Sequence, residues 1–334
     1  MGQPTIKDVA KLAGVSISTV SRVMNDSKPV SPEARRKVLD AIAKLDFKPN
    51  QLARSLVMKK SNLIGVVVKD IGIEYMAQMI RGIEEVGRMY KYDIILSSTY
   101  GETDNELNAI EFLATKQVEG IIVISEDISP EVIVGLKEHR IPFMLLDKFY
   151  NFKKLTTVTI DFEKEEYNLI KFLNKLGHKK IAFIADDVPN NLTEKKVAGY
   201  KKAIEEIGEK SIIIRTGGNN SDAGYEIGDE VMEVVKKEGI TAVASINDEV
   251  SIGFINYCYD QKISVPEDLS VAGFGDMKLA SIYRPKLTTV QQPYYDIGAV
   301  AIRILIKKLK DEEVVEEDWV IPAQIMDRES TANI

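Results

Sequence analysis

The sequence predicts a small all-α helix-turn-helix headpiece followed by a larger α/β body built as two doubly wound parallel-sheet lobes. Three observations predict it. Residues 1–49 carry helical periodicity broken by a glycine turn and by prolines. From Leu63 onward, short apolar runs alternate with amphipathic stretches, as expected of strands covered by helices on both faces. Charge is also partitioned. Residues 1–60 hold 12 Lys/Arg against 5 Asp/Glu (+7), and the other 274 hold 32 against 46 (−14). A basic front on an acidic body implies that the front meets a polyanion, although a solvated basic face would carry the same charge.

The front begins with Thr5-Ile6-Lys7-Asp8, the Ser/Thr-x-x-acid pattern of a helix start, and Ile6, Val9, Ala10 and Ala13 then share one face. Gly14-Val15 makes a tight turn, and Ser16 is placed to cap a second helix running to about Met24. In that helix Val20 and Val23 turn inward, while Ile17, Ser18, Ser21 and Arg22 lie toward the other side. Ser31-Pro32 is a cap followed by proline at the first helical position. The third helix is expected to bury Val38, Leu39, Ile42 and Leu45 and to stop before Pro49. Helix, Gly turn, helix and a supporting helix form a helix-turn-helix, whose second helix enters the major groove of duplex DNA. The hydroxyls of Ser16, Thr19 and Ser21 suit phosphate oxygens, Arg22 suits a guanine edge, and Ile17 suits a thymine methyl. Taken singly, the serines are equally well read as caps and turn formers.

The stretch TIKDVAKLAGVSISTVSRVMN closely resembles the headpiece of the LacI/GalR repressor family, and KPNQLARSL resembles that family's hinge helix. The resemblance implies that Ile17, Ser18 and Arg22 read bases, and that Thr5, Ser16, Thr19, Ser21 and Asn25 contact phosphates. Asn50 caps a hinge segment of roughly eight residues that includes Ala53 and Leu56; isolated helices shorter than about 12 residues are marginal in water. It is therefore expected to fold only on DNA, against a twin hinge. The resemblance has Leu56 wedging into a minor-groove step; burial against the body is the other reading.

Strands are predicted at LIGVVV (63–68), DIILSS (93–98), GIIVIS (120–125) and PFMLLD (142–147). After TVTID come KIAFIAD (180–186), SIIIRT (211–216), AVASIND (242–248) and LSVAGFGD (269–276). Two such series imply two similar lobes with a cleft at the carboxyl ends of their strands. This resembles the type I periplasmic-binding-protein fold that the LacI family joins to its headpiece. That resemblance implies three crossings between lobes, expected near 161, 289 and 321. The domains are then 1–49 (headpiece), 50–60 (hinge), 61–160 with 290–320 (first lobe) and 161–289 with 321–334 (second lobe).

Sugar-responsive members of the family carry a cleft aromatic, an arginine ahead of a Gly-aromatic pair, and an aspartate after Gly-Phe. The matching positions here are Tyr75, Lys196 and Gly275, with Asp276 following; Asp147 and Asn247 also map to the cleft. Lysine is a point charge without the planar fork of arginine, and glycine offers no carboxylate. One reading is therefore a local sugar-operon repressor with altered effector chemistry, and another is a cleft that only holds water. A narrower resemblance points to the catabolite-control branch of the family. It rests on MYKYDIIL (89–96), KQVEGII (116–122), KKVAGYK and YDIGAVAIR (295–303). That branch is switched by the phosphocarrier HPr phosphorylated on serine. Asp296, Ala299, Val300, Arg303 and Lys307 recur at helical spacing, and Ile297, Ala301, Ile304 and Leu305 form the adjacent apolar face. Arg303 and Lys307 are placed to grip one phosphoserine, Ala299 and Val300 to form a platform, and Tyr295 to anchor it. Arg81, Glu84 and Arg88 lie on a second helix that the resemblance turns toward the same corepressor. An ordinary solvated helix face has the same spacing.

Other classes are disfavoured. There is one cysteine, Cys258, and the only histidines are His139 and His178, so neither a disulfide framework nor a Cys/His metal site is expected. No phosphate-cradling glycine motif or carboxylate pair marks an enzyme, and no cofactor is implied. Without a long apolar run or a signal-like start, the chain is expected in the cytoplasm, off the membrane. No added heptad stretch follows the body, so a homodimer on a pseudo-palindromic operator is expected, with a small sugar phosphate left open as a modulator.

Overall fold

The computed structural model describes residues 4–25, 28–47, 60–125, 128–146, 155–187, 191–314 and 318–334. Asn50, Ala53, Leu56 and Asp147, and the side chain of Asn25, lie outside the described residues. The chain divides into two compact units, Met1–Asn62 and Leu63–Ile334.

The first unit holds α1 (Ile6–Ala13), α2 (Ile17–Asn25) and α3 (Pro32–Leu45). Gly14 ends α1 at φ 66°, with nothing within 4 Å of where a Cβ would sit, so backbone freedom rather than space accounts for the glycine. Ser31 caps α3 by accepting from the Ala34 amide at 3.3 Å. Val9, Ala10, Ala13, Val20, Val23, Val38, Ala41 and Phe47 form its small core. Leu39, expected in the buried stripe, is 52% exposed. One residue is about 100° of helix, and Val38 with Ala41 takes the inward direction instead.

The second unit begins with β1 (Leu63–Val68), α4 (Glu74–Met89), β2 (Asp93–Ser98), α5 (Thr103–Thr115), β3 (Gly120–Ile124), α6 (Pro130–Glu138), β4 (Phe143–Leu146) and β5 (Thr157–Thr159). It continues with α7 (Phe162–Lys175), β6 (Ile181–Asp186), α8 (Asn191–Ile207), β7 (Ile212–Thr216), α9 (Ser221–Glu226), α10 (Gly228–Glu238), β8 (Ala242–Ser245), α11 (Asp248–Asp260), β9 (Ser270–Gly275), α12 (Lys278–Ile282) and β10 (Thr288–Gln291). Last come α13 (Tyr294–Leu309), β11 (Asp318–Val320) and β12 (Gln324–Met326).

These strands make two six-stranded sheets, ordered β11-β5-β4-β3-β1-β2 and β12-β10-β9-β8-β6-β7. Every pairing is parallel except that of β12 with β10. The two-residue strand period explains why β1 and β3 are apolar throughout. Ile64, Val66, Val68, Ile122 and Ile124 face one core, and Val67, Ile121 and Val123 face the other. β10 runs to Gln291 in the second sheet, so the chain leaves that lobe after Gln291, two residues beyond position 289. β11 pairs with β5 in the first sheet and β12 with β10 in the second, so the chain crosses again between them. Among the described residues, no helix is long and apolar enough to cross a membrane.

α13 returns to the first lobe and lies directly on α4. A Cβ on Gly82 would fall 2.1 Å from the Tyr295 carbonyl oxygen, and one on Gly298 would fall 2.1 Å from that of Met79. The two backbones touch at both points, so neither position has room for a side chain. Gly298→Ala should therefore lower stability by about 2–3 kcal/mol. Gly217→Ala, with nothing within 4 Å of its Cβ position, should change it by no more than about 0.5 kcal/mol. Denaturant unfolding of the two variants checks the contrast.

Candidate functional site

The headpiece presents one polar edge. Ser16 stands ahead of α2, and its Oγ accepts from the Thr19 amide at 3.1 Å. The same oxygen shares hydrogen bonds with Ser18 Oγ at 2.7 Å and Thr19 Oγ1 at 2.8 Å. Three hydroxyls are thus gathered at the positive end of the helix, where anions are favoured. Ile17 is 45% exposed, Ser18 and Arg22 are exposed, and Ser21 is half-buried. Val20 and Val23, on the opposite face, are buried. Thr5 is committed locally: its amide and its hydroxyl both donate to Asp8 Oδ2, at 2.8 and 2.7 Å. Those hydrogen bonds hold the Asp8 carboxyl below its usual range.

On the first lobe, the α4–α13 pair carries a second polar surface. Arg81 Nε donates to Glu85 Oε1 at 2.8 Å, and the Tyr295 hydroxyl donates to Glu85 Oε2 at 2.9 Å, stitching the two helices together. The Arg81 hydrogen bond, then that of Tyr295, lowers the Glu85 pKa. Arg88 pairs with Glu84 one turn on. Asp296, Arg303 and Lys307 are exposed and Val300 is half-buried. Arg303 and Lys307 lie one turn apart on α13. Ala299, expected on this outer face, is buried: it lies under α4, its amide nitrogen 2.9 Å from where a Gly82 Cβ would stand. The platform for a partner therefore reduces to Val300 and Tyr295.

Tyr75 at the start of α4 stacks on Tyr294 at the start of α13, with ring centroids 5.3 Å apart. Lys196 was expected to line the cleft and is instead buried. Its ammonium donates to the Ile246 carbonyl at 2.7 Å and sits 3.6 Å from the centre of the Phe274 ring. A flexible ammonium can withdraw into an aromatic and carbonyl cage, where it gains cation–π and hydrogen-bond energy at once. Asn247 caps α11, accepting from the Val250 amide at 2.8 Å and donating to the Asn219 carbonyl at 2.6 Å. Asp276, at φ 54°, is held by Arg328 at 2.5 Å and Gln291 at 2.7 Å. Asp248 is buried beneath, accepting from Thr289 Oγ1 at 2.5 Å and the Met277 amide at 2.8 Å. Burial raises its pKa to about 6 against those hydrogen bonds. Glu166 on α7 is fully buried, with no hydrogen-bond partner at either carboxyl oxygen among the described residues. Burial pushes its pKa up to about 8, opposed by Lys196.

Comparison with known proteins decides what this arrangement belongs to. Residues 5–50 match the family described as bacterial regulatory proteins, lacI family, and residues 170–331 match the periplasmic binding protein-like domain. Catabolite control protein A of Priestia megaterium is 38% identical over 330 residues, 98% of this chain and 99% of that protein. The chain belongs to the LacI family. The HTH-type transcriptional regulator RegA of Clostridium saccharobutylicum is 37% identical over 330 residues, covering 98% of this chain and 99% of RegA. The lac repressor dimer bound to operator and the anti-inducer ONPF superposes with a TM-score of 0.87 at 26% identity, over 99% of this chain and 100% of that one.

As a LacI-family DNA-binding transcription regulator, the chain carries its helix-turn-helix and its two sheets in the order the family combines them. Of the cleft positions within the described residues, Tyr75 and Asp276 are half-buried, whereas Lys196 and Asn247 are spent on internal hydrogen bonds. Sequence reasoning missed Asp248, Thr289, Arg328 and Glu166, which organise the interior behind the cleft. The one available signal was the acidic residue after Asn247 at the start of a helix, which reads equally as a favourable helix charge.

Glu166 sets a pH dependence. Its folded pKa, about 8, exceeds the ordinary 4.5, so the folded chain keeps a proton that the unfolded chain releases as pH rises from 4.5 toward 8. Its stabilising effect is complete below that window and is lost across it. Glu166→Gln does not titrate, so its melting temperature should gain on that of the parent chain steadily from pH 5 to pH 8. Thermal unfolding of both chains across that range checks the sign.

Proposed function

We propose that this chain is a catabolite-control regulator that binds a pseudo-palindromic operator as a homodimer and is activated by seryl-phosphorylated HPr. The observation that carries this reading is the surface of α4 and α13. Exposed Arg303 and Lys307 stand one helical turn apart on the helix whose first turn carries Tyr295, itself bonded to the Arg81–Glu85 pair, in a chain 38% identical to a catabolite control protein A. Two cations at that spacing suit a dianionic phosphoserine, which accepts charge-assisted hydrogen bonds from both. The withdrawal of Lys196 into the second lobe weighs against a small carbohydrate as the effector.

On DNA, Arg22 is assigned to a guanine edge, Ile17 to a thymine methyl and Ser18 to a neighbouring base, with Ser16, Thr19, Ser21, Thr5 and Asn25 on phosphates. Thr5 must exchange one of its two hydrogen bonds to Asp8 for a phosphate. The hinge residues Asn50, Ala53 and Leu56 are assigned to the minor groove. The phosphoprotein shifts the lobes only by its differential affinity for their arrangements, and operator binding shifts its affinity by the same factor.

Fluorescence anisotropy on operator DNA, with and without seryl-phosphorylated HPr, tests the reading. The phosphoprotein should tighten binding about 5- to 150-fold, and Arg303→Ala should abolish that gain while leaving unassisted binding intact. Equal affinity in all four measurements sinks the corepressor role. Arg22→Ala should cost about 1–3 kcal/mol at one base pair and relax discrimination there, which a panel of single-base operator variants resolves.

A further inference from the structure

The loop after β9 is held by carboxylates from both lobes. Asp276 turns the chain, and two successive amides then find different acceptors. Met277 N donates to Asp248 of its own lobe at 2.8 Å, whereas Lys278 N donates to Glu74 of the first lobe, 3.1 Å from Oε1 and 3.3 Å from Oε2. From the second lobe the loop is also fixed by Arg328 and Gln291 on Asp276. From the first lobe, Gln78 donates to Glu74 Oε1 at 3.5 Å, and Glu74 opens α4. Its neighbour Tyr75 stacks on Tyr294, whose hydroxyl comes within 3.8 Å of where a Cβ on Gly275 would lie.

We infer that Glu74 is an interlobe latch: its grip on the Lys278 amide ties the orientation of the second lobe to the helix that also carries Arg81, Glu85 and Arg88. The lobes are joined by three chain crossings that can act as a hinge, and a hydrogen bond between the lobes beside one of them, the Gln291–Tyr294 passage, is placed to favour one orientation. A carboxylate accepting from a backbone amide suits the task, because it is stronger than a neutral pair yet can be broken and remade. A load on α4 then reaches the second lobe through α4's own first turn. The latch stands whether or not the proposed corepressor is the right partner, and its test needs neither DNA nor phosphoprotein.

The amide can be removed without touching Glu74. Lys278 is the first residue of α12, and Met277 before it sits at φ −61°, ψ 158°, backbone that suits the residue preceding proline. Lys278→Pro therefore deletes the donor, and Lys278→Ala serves as the control for the side chain. The lobes are read by single-molecule energy transfer in the full chain, with dyes on Lys137→Cys of α6 and Lys201→Cys of α8. Both sites are exposed, and the native Cys258 is buried.

Glu74→Ala and Lys278→Pro should each raise the population of the second lobe orientation about 3- to 10-fold. The double variant should match either single one, and Lys278→Ala should match the parent. An unchanged distribution in Glu74→Ala overturns the latch. So does an effect of Lys278→Ala equal to that of proline, or a double variant whose effects multiply.

Discussion

Backbone contact between α4 and α13 is the constraint on which much of the first lobe depends. Gly82 and Gly298 leave no side chain between the two helices, and each helix meets the carbonyls of the other. That contact joins the start of the first lobe to the segment that returns from the second. It brings Tyr295 within hydrogen-bonding range of Glu85 and seats Tyr294 against Tyr75. It also turns Arg303 and Lys307 outward, because the rest of α13 from Ile297 to Ile306 is largely consumed by burial. The Arg81–Glu85 pair and Tyr295 are thereby held on one closely packed helix pair.

The second lobe solves a different problem. Its interior holds Lys196, Asp248 and Glu166, charges that burial alone would not tolerate. Lys196 is stabilised by a carbonyl and an aromatic face, Asp248 by a hydroxyl and an amide, and Glu166 by keeping its proton. These three groups are therefore accommodated inside the second lobe rather than at its surface.

Eight strands were legible because each is a short apolar run flanked by helical periodicity, as in LIGVVV and KIAFIAD. β10, β11 and β12 were not, since TTVQ, DWV and QIM are too short to show a period, and β11 and β12 join their sheets only after crossings between the lobes. The polar edge of α2 could be read from residue types alone, because a helix of this amphipathic pattern has one place for its valines. Ala299 was misplaced for the converse reason. Spacing gives an angle around a helix, and the glycine contact widens the buried arc of α13 beyond that expectation. Lys196 was misplaced because nothing in its neighbourhood in sequence announces Phe274 or the carbonyl of Ile246.

If α4 and α13 receive the signal that governs the headpiece, the influence between the two ends must be mutual. Calorimetric titration of seryl-phosphorylated HPr into the full chain, free and then saturated with operator, measures this directly. Phosphoprotein affinity should rise on operator binding by the same factor by which the phosphoprotein raises operator affinity. Identical affinities in the two titrations would contradict it.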